Sequence, residues 1–352
     1  MSRVQTRLLV NTMNETNFWG KCERKNYIVR YLYYRRNQLS QRFFGHEYWP
    51  LPKREAGQRL LSTIDTNKLI GEAIDAGKPY WIGRWGGTEM NTVFEYLKHD
   101  VYPSYDNRQA AIQMLCNLSG FFPANVDLGD RFVRMMLDCC KDIDLQAAWG
   151  RYMADYVYYQ YQPNTVLTRL DRIEPWNMYK EKSDVLPWSA HLAGKKVLLI
   201  HPFAETIEHQ YNTNREKIFS KIYEADKILP KFELKTIKAV QTLAGEPDER
   251  FKTWFDALNW MKEECCKVDF DVVIIGCGAY GYPLAAEIKK MGKIAIHLAG
   301  ATQLMFGITG RRWETEYIYR DFRKDIINEY WVRPDNSEII KNAKSVESAC
   351  YW

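Results

Sequence analysis

The sequence predicts an α/β fold, a Rossmann-like and mostly parallel sheet flanked by helices, preceded by a basic helical N-terminal extension. Three observations carry that prediction. From residue 60 onward, short apolar runs of strand length alternate with amphipathic segments of helix length, the pattern of a parallel sheet wrapped by its crossovers. Glycine-bearing or proline-bearing corners follow three of those runs, and such corners are where open parallel sheets place their ligands. The 352 residues are 46% hydrophobic and 26% charged, an ordinary globular composition with chain enough for one large domain or two average ones.

Residues 1–58 differ from the remainder and read as a basic, aromatic extension; residues 59–352 read as the main domain. Between 21 and 59, ten Lys and Arg stand against Glu23, Glu47 and Glu55. Ile28, Leu32, Leu39 and Phe43 share one helical face with Arg35, Arg36 and Arg42 nearby. Two readings fit: a basic amphipathic helix on an anionic membrane, or a helix docked on the main domain with solvated arginines.

The main domain opens with an amphipathic helix (Leu61, Ile64, Leu69, Ile74) stopped at Gly77, a left-handed cap. A strand follows over Pro79–Gly83, then helices over Thr88–Lys98, 109–118 and 130–141, and a strand over Leu145–Trp149. Residues 160–190 are rich in Pro, Trp and Asp and read as a long irregular connection, a frequent seat of function. Beyond it come a strand over Lys196–Ile200, a helix over Asn214–Ile228, a strand over Phe232–Val240 and a helix over Asp248–Lys267. Strand Val272–Ile275, helix Tyr282–Met291 and strand Ile294–Leu298 complete the pattern.

Several classes are excluded. The net charge of +5 is too mild for a nucleic-acid binder, and no apolar run reaches membrane-spanning length. The eight cysteines include the neighbours Cys139-Cys140 and Cys265-Cys266 but no CxxC and no zinc spacing. That usage fits a reduced, cytoplasmic setting, with peripheral membrane contact through residues 21–59 as the one exception. No HExxH, GxSxG or Walker A sequence occurs. Asp142-Ile143-Asp144 and Asp269-Phe270-Asp271 have a metal-binding form but precede strands instead of ending them.

Three corners are chemically rich. Gly276-Cys277-Gly278-Ala279-Tyr280-Gly281 is a GxGxxG between strand and helix, suited to nucleotide phosphate or ribose or simply to a tight turn. A dinucleotide fold would place Asp or Glu at the next strand end; His297 stands there. His201-Pro202-Phe203-Ala204-Glu205-Thr206 offers a histidine at a strand end, with Glu205 and Thr206 as helix-capping residues. Arg84-Trp85-Gly86-Gly87-Thr88-Glu89 offers a planar cation for phosphate, a glycine turn and a carboxylate in the first turn of a helix.

These blocks, with the segment from Asp271 through Gly307 and the final EYWVRP…VESACYW, resemble the GT-D-fold glycosyltransferases, in particular those relatives with an Arg-x-Gly-x-x-Glu loop. The resemblance covers about residues 60–352, and the order of the blocks carries more of it than any single motif. It implies transfer of a sugar from a UDP- or GDP-sugar to a hydroxyl of a glycan or glycoconjugate acceptor. Arg84 would offset charge on the leaving diphosphate, and Glu89 would serve as general base or metal ligand. Gly86, Gly87, Thr88, His201, Pro202, Gly276, Gly278, Tyr280, His297 and Gln303 would line the nucleotide-sugar site; Arg311 and Arg312 would reach phosphate or stay solvated. The family prototype carries an Asp-x-Glu in the first loop, and here Gly87 replaces that Asp. A Mn2+ or Mg2+ ion would therefore lose one carboxylate ligand. Two rival readings stand beside this one: another Rossmann-type enzyme such as a methyltransferase or reductase, and a non-catalytic nucleotide-sugar-binding module.

Overall fold

A computed structural model describes residues 58–352, except 102, 149–151, 224–226, 247 and 347, together with Arg36, Leu39, Phe43, Arg54 and Glu55 further upstream. Leu39 and Phe43 are helical and exposed; the rest of the amphipathic face expected in the extension lies outside the described residues.

Seven strands form one all-parallel sheet: β1 (Tyr80–Arg84), β2 (Leu145–Ala148), β3 (Val166–Arg169), β4 (Lys196–His201), β5 (Glu233–Lys238), β6 (Val272–Ile275) and β7 (Ile294–His297). Their order across the sheet is β3-β2-β1-β7-β6-β4-β5. The architecture is α/β and consistent with a Rossmann-like fold. The central strands β6 and β7 are buried along their whole length, which explains their unbroken apolar runs.

Helices cover both faces. On one side lie α2 (Gly87–Val101), α3 (Arg108–Ser119), α4 (Val126–Cys139), α5 (Tyr152–Tyr161), α7 (Trp254–Cys266) and α8 (Gly281–Lys290). On the other lie α1 (Thr63–Ala76), α6 (Ala204–Asn214) and the chain beyond β7. The sheet feeds both cores alternately: Leu198 and Ile200 of β4 point into the first, Val197 and Leu199 into the second. Every crossover that steps toward the β3 edge runs over the first face, and every one that steps toward β5 runs over the second. A single crossover hand requires that segregation.

Most expected elements are present, and three differ. The stretch 160–190 is not wholly irregular: β3 lies inside it and pairs with β2, and α5 ends at Tyr161. The helix expected over 214–228 lies ten residues earlier, as α6. Its first turn is capped from far away, since the Glu338 carboxylate accepts the backbone N–H groups of Glu205 (2.9 Å) and Thr206 (3.2 Å). Residues 217 and 218 do not continue the helix, because their carbonyls accept from Asn328 Nδ2, and Ile218 also from Trp331 Nε1. Helix α7 starts at Trp254 instead of 248, set by a capping box between Thr253 and Asp256.

The two Asp-x-Asp sequences are structural. Asp144 accepts the Trp81 N–H at 2.8 Å and pairs with Lys289, and Asp271 accepts the Lys196 N–H at 2.9 Å. Both sit at the amino ends of strands. No helix among the described residues is long and apolar enough to cross a membrane.

Candidate functional site

The carboxyl ends of the strands open into a cleft of about 530 Å³, within the usual range for ligand sites. It lies where the order of strands reverses around β1 and β7, because the chain leaves β1 toward β2 yet enters β7 from β6. Open α/β sheets hold ligands at that place. All three corners singled out in the sequence reach it: Arg84 through Glu89 after β1, His201 through Phe203 after β4, and Gly276, Gly278 and Ala279 after β6. His297 at the end of β7 and Gln303 also line it.

The β1 corner folds tightly on itself. Glu89 occupies the third position of α2, and its carboxylate lies directly over Gly86, so that a Cβ there would fall inside it. The residue is 6% exposed. Burial raises its pKa, opposed by hydrogen bonds from its own backbone N–H and from Ser119. Glu89 is thus an N-terminal helix carboxylate that also presents a group of raised proton affinity on a cleft wall. Gly87 and Thr88, the first two residues of α2, lie between Gly86 and Glu89 and line the cleft.

Arg84 is half-buried, and Nη1 meets Glu174 Oε1 at 3.4 Å. Asn177 Nδ2 holds the other oxygen, Oε2, at 3.1 Å. Burial pushes the Glu174 carboxyl up to about 7 in spite of the Arg84 charge. Nothing in the sequence marked Glu174 beyond its place in a long connection; what brings it to the cleft is the path of the chain after β3.

Both histidines are buried and neutral. Desolvation lowers His201 to about 3. Its Nδ1 accepts the Phe203 N–H at 3.0 Å, which fixes the proton on Nε2 and makes that nitrogen the donor. His297 is lowered to about 3 by burial first and by the Arg84 charge second. The Arg84 backbone slightly favours its protonated form, but neither ring nitrogen has a partner in hydrogen-bond geometry.

Three expected site residues serve differently. Tyr280 turns away from the cleft: its ring stacks on Trp254 at 5.0 Å and its hydroxyl meets Thr242 Oγ1 at 3.2 Å. The Gly276 N–H is committed to the Ile200 carbonyl at 3.0 Å, so this glycine contributes shape and not a donor. Gln303 Nε2 is bound to the carbonyls of Ile308, Thr309 and Tyr351, which ties the chain beyond β7 together. Gly278 keeps its expected place with φ +58° and its open Cβ position 2.9 Å from the Ser119 carbonyl, a conformation that suits glycine. Pro202 lines the cleft beside His201.

Sequence reasoning missed the far wall. Trp313, Tyr319, Val346 and Tyr351 line the cleft opposite the glycine corner. Arg312 joins them, with its guanidinium 4.9 Å from the Tyr351 ring centroid, whereas Arg311 points outward to the Ser348 carbonyl. Cys350 and Trp352 are held in place by the Arg312 N–H on the Cys350 carbonyl and the Arg311 N–H on that of Trp352. Among the described residues, no group of three or more His, Cys, Asp or Glu side chains is placed to hold a metal ion. The single carboxylate of Glu89 does not make a cation site on its own. No disulfide joins the described cysteines.

Comparison of the chain with protein-family models, with curated proteins and with solved structures gave no match.

Proposed function

We propose that the chain is a glycosyltransferase of the GT-D type, moving a sugar from a UDP- or GDP-sugar to a hydroxyl of a glycan or glycoconjugate. The observation that carries the reading is the meeting of the Arg84–Glu89, His201–Phe203 and Gly276–Ala279 corners on one cleft at the carboxyl ends of the sheet. The diphosphate would lie against Arg84, whose fixed charge offsets the negative charge that builds as the sugar–phosphate bond breaks; such preorganised charge is usually the largest catalytic contribution. Glu89 would take the proton of the acceptor hydroxyl as its oxygen bonds to the sugar carbon. Its raised proton affinity makes it a stronger base than an ordinary glutamate. The neutral His201 would donate from Nε2 to a ligand oxygen. The rings of Trp313, Tyr319 and Tyr351 offer apolar faces for a sugar.

A second reading has one observation in its favour. The lone carboxylate at the β1 corner, with Gly87 in place of an acid, also suits a module that binds a nucleotide sugar without transferring it. Purified protein incubated with UDP- and GDP-sugars separates the two: transfer or hydrolysis that Glu89→Gln abolishes is expected for the enzyme, and stabilisation by the donor without turnover for the module. Stabilisation by S-adenosylmethionine or NAD alone would instead favour a different Rossmann-type enzyme. Cytoplasmic placement with peripheral membrane contact through residues 21–59 belongs to the same proposal. It predicts salt-sensitive sedimentation with anionic vesicles that is lost on removing residues 1–58.

A further inference from the structure

The Arg84–Glu174 pair has features that a purely structural ion pair does not need. Both groups line the cleft, with side chains 15% and 19% exposed. The contact is a single bond of 3.4 Å, longer than a charge-assisted bond of good geometry. Among the described residues it is the one hydrogen bond that the Arg84 side chain makes, so most of the guanidinium fork is uncommitted. Glu174 is held from the other side by an amide, not a second cation.

We propose that Glu174 is the internal counter-anion of the cleft: it holds Arg84 while no ligand is present, yields it to an incoming phosphate, and takes up one proton from solvent as it does so. The inference rests on the reading above for the identity of the phosphate ligand. Its physical basis is that a buried carboxylate stays charged only while a cation faces it. The groups facing Glu174 are Arg84 from β1, Asp171 on its own loop, Asn177 one turn on and Tyr319 across the cleft, with Arg312 and Glu316 acting on that phenol. Arg84 and the Asn177 amide are what favour the ionised form, while Asp171 opposes it. A phosphate that draws Arg84 away also brings negative charge close, and both changes favour protonation. Burial has already brought this carboxyl to about 7, so the uptake falls in the neutral range.

The linkage has a definite sign. Above the pH at which Glu174 titrates in the free protein, binding must be accompanied by proton uptake, and affinity falls as pH rises. The experiment is isothermal titration of UDP-glucose and, separately, of sulfate into the full chain at pH 6, 7 and 8, since neither anion changes charge across that range. The expected result is wild-type affinity falling about fivefold from pH 7 to pH 8, with Glu174→Gln binding more tightly and with most of that fall removed. Repeating the wild-type titration at pH 8 in buffers of different ionisation heat should give about one proton taken up per ligand; this arm stands even if the variant does not fold. A flat wild-type profile, a variant that slopes as steeply as the wild type, or no proton uptake overturns the proposal. Sulfate that binds with proton uptake while UDP-glucose does not bind supports the counter-anion and excludes UDP-glucose as the ligand. No binding of either anion overturns the counter-anion.

Discussion

At Gly86 the backbone passes so close to the Glu89 carboxylate that no side chain fits between them. Gly86→Ala should push the carboxylate off the cleft wall. The expected result is loss of most sugar transfer together with about 1–3 kcal/mol of stability, read from product formation and urea unfolding of the same preparation. Glu89 itself gives a pH signature. Because its proton is held more tightly in the fold than in the unfolded chain, the fold loses stability as pH rises from the ordinary glutamate range through the raised value. Glu89→Gln removes that loss, so its unfolding midpoint should match the wild type near pH 4 and exceed it at pH 8. A variant no more stable than the wild type at pH 8 would contradict the burial of this carboxylate. Arg84, Glu89, His201, Gly278 and His297 were legible in the sequence because each stands at or shortly after the end of a recognisable strand. Tyr280 and Gln303 were not, since what turns them aside is distant: Trp254 and Thr242 for one, the carbonyls at 308, 309 and 351 for the other.

Among the elements, legibility followed burial and local signals. Strands β1, β2, β4, β6 and β7 are dense apolar runs bounded by turns, and the sequence places them within a residue or two. Edge strand β3 has four residues, two of them Thr168 and Arg169 and one the exposed Val166, and it reads as loop. The capping box of α7 is visible as Thr253 and Asp256 and would have corrected its start. Glu205 and Thr206 read as capping residues in the sequence, but both lie inside the first turn of α6, whose cap is the distant Glu338. Glu338→Ala should therefore destabilise the fold by about 1–3 kcal/mol, more than a surface Glu→Ala, because two N–H groups and the Thr206 hydroxyl lose a buried acceptor together. Urea unfolding of the two variants side by side measures this, and equal losses would mean that the cap contributes nothing.

For the molecule as a whole, the cleft is a joint product of both halves of the sheet and of the chain that returns after β7. Val346 and Tyr351, near the end of the chain, line the cleft, and the carbonyls of Cys350, Tyr351 and Trp352 hold Arg312, Gln303 and Arg311. Deleting residues 346–352 should lower the melting temperature and abolish the thermal shift that a UDP-sugar gives the intact chain. An undiminished shift in the truncated chain would show that this wall does not touch the ligand. The fold class was legible because alternation of strand and helix is written locally. The strand order was not, because pairing β1 with β7 joins segments that no local pattern connects. That pairing also bears on how the protein is made. β1 emerges from the ribosome early, yet one of its two hydrogen-bonding edges stays without its neighbour until roughly 200 further residues have been translated. During that interval the nascent chain carries an open strand edge, the feature most prone to self-association, and yield in cells should depend on chaperones that shelter it.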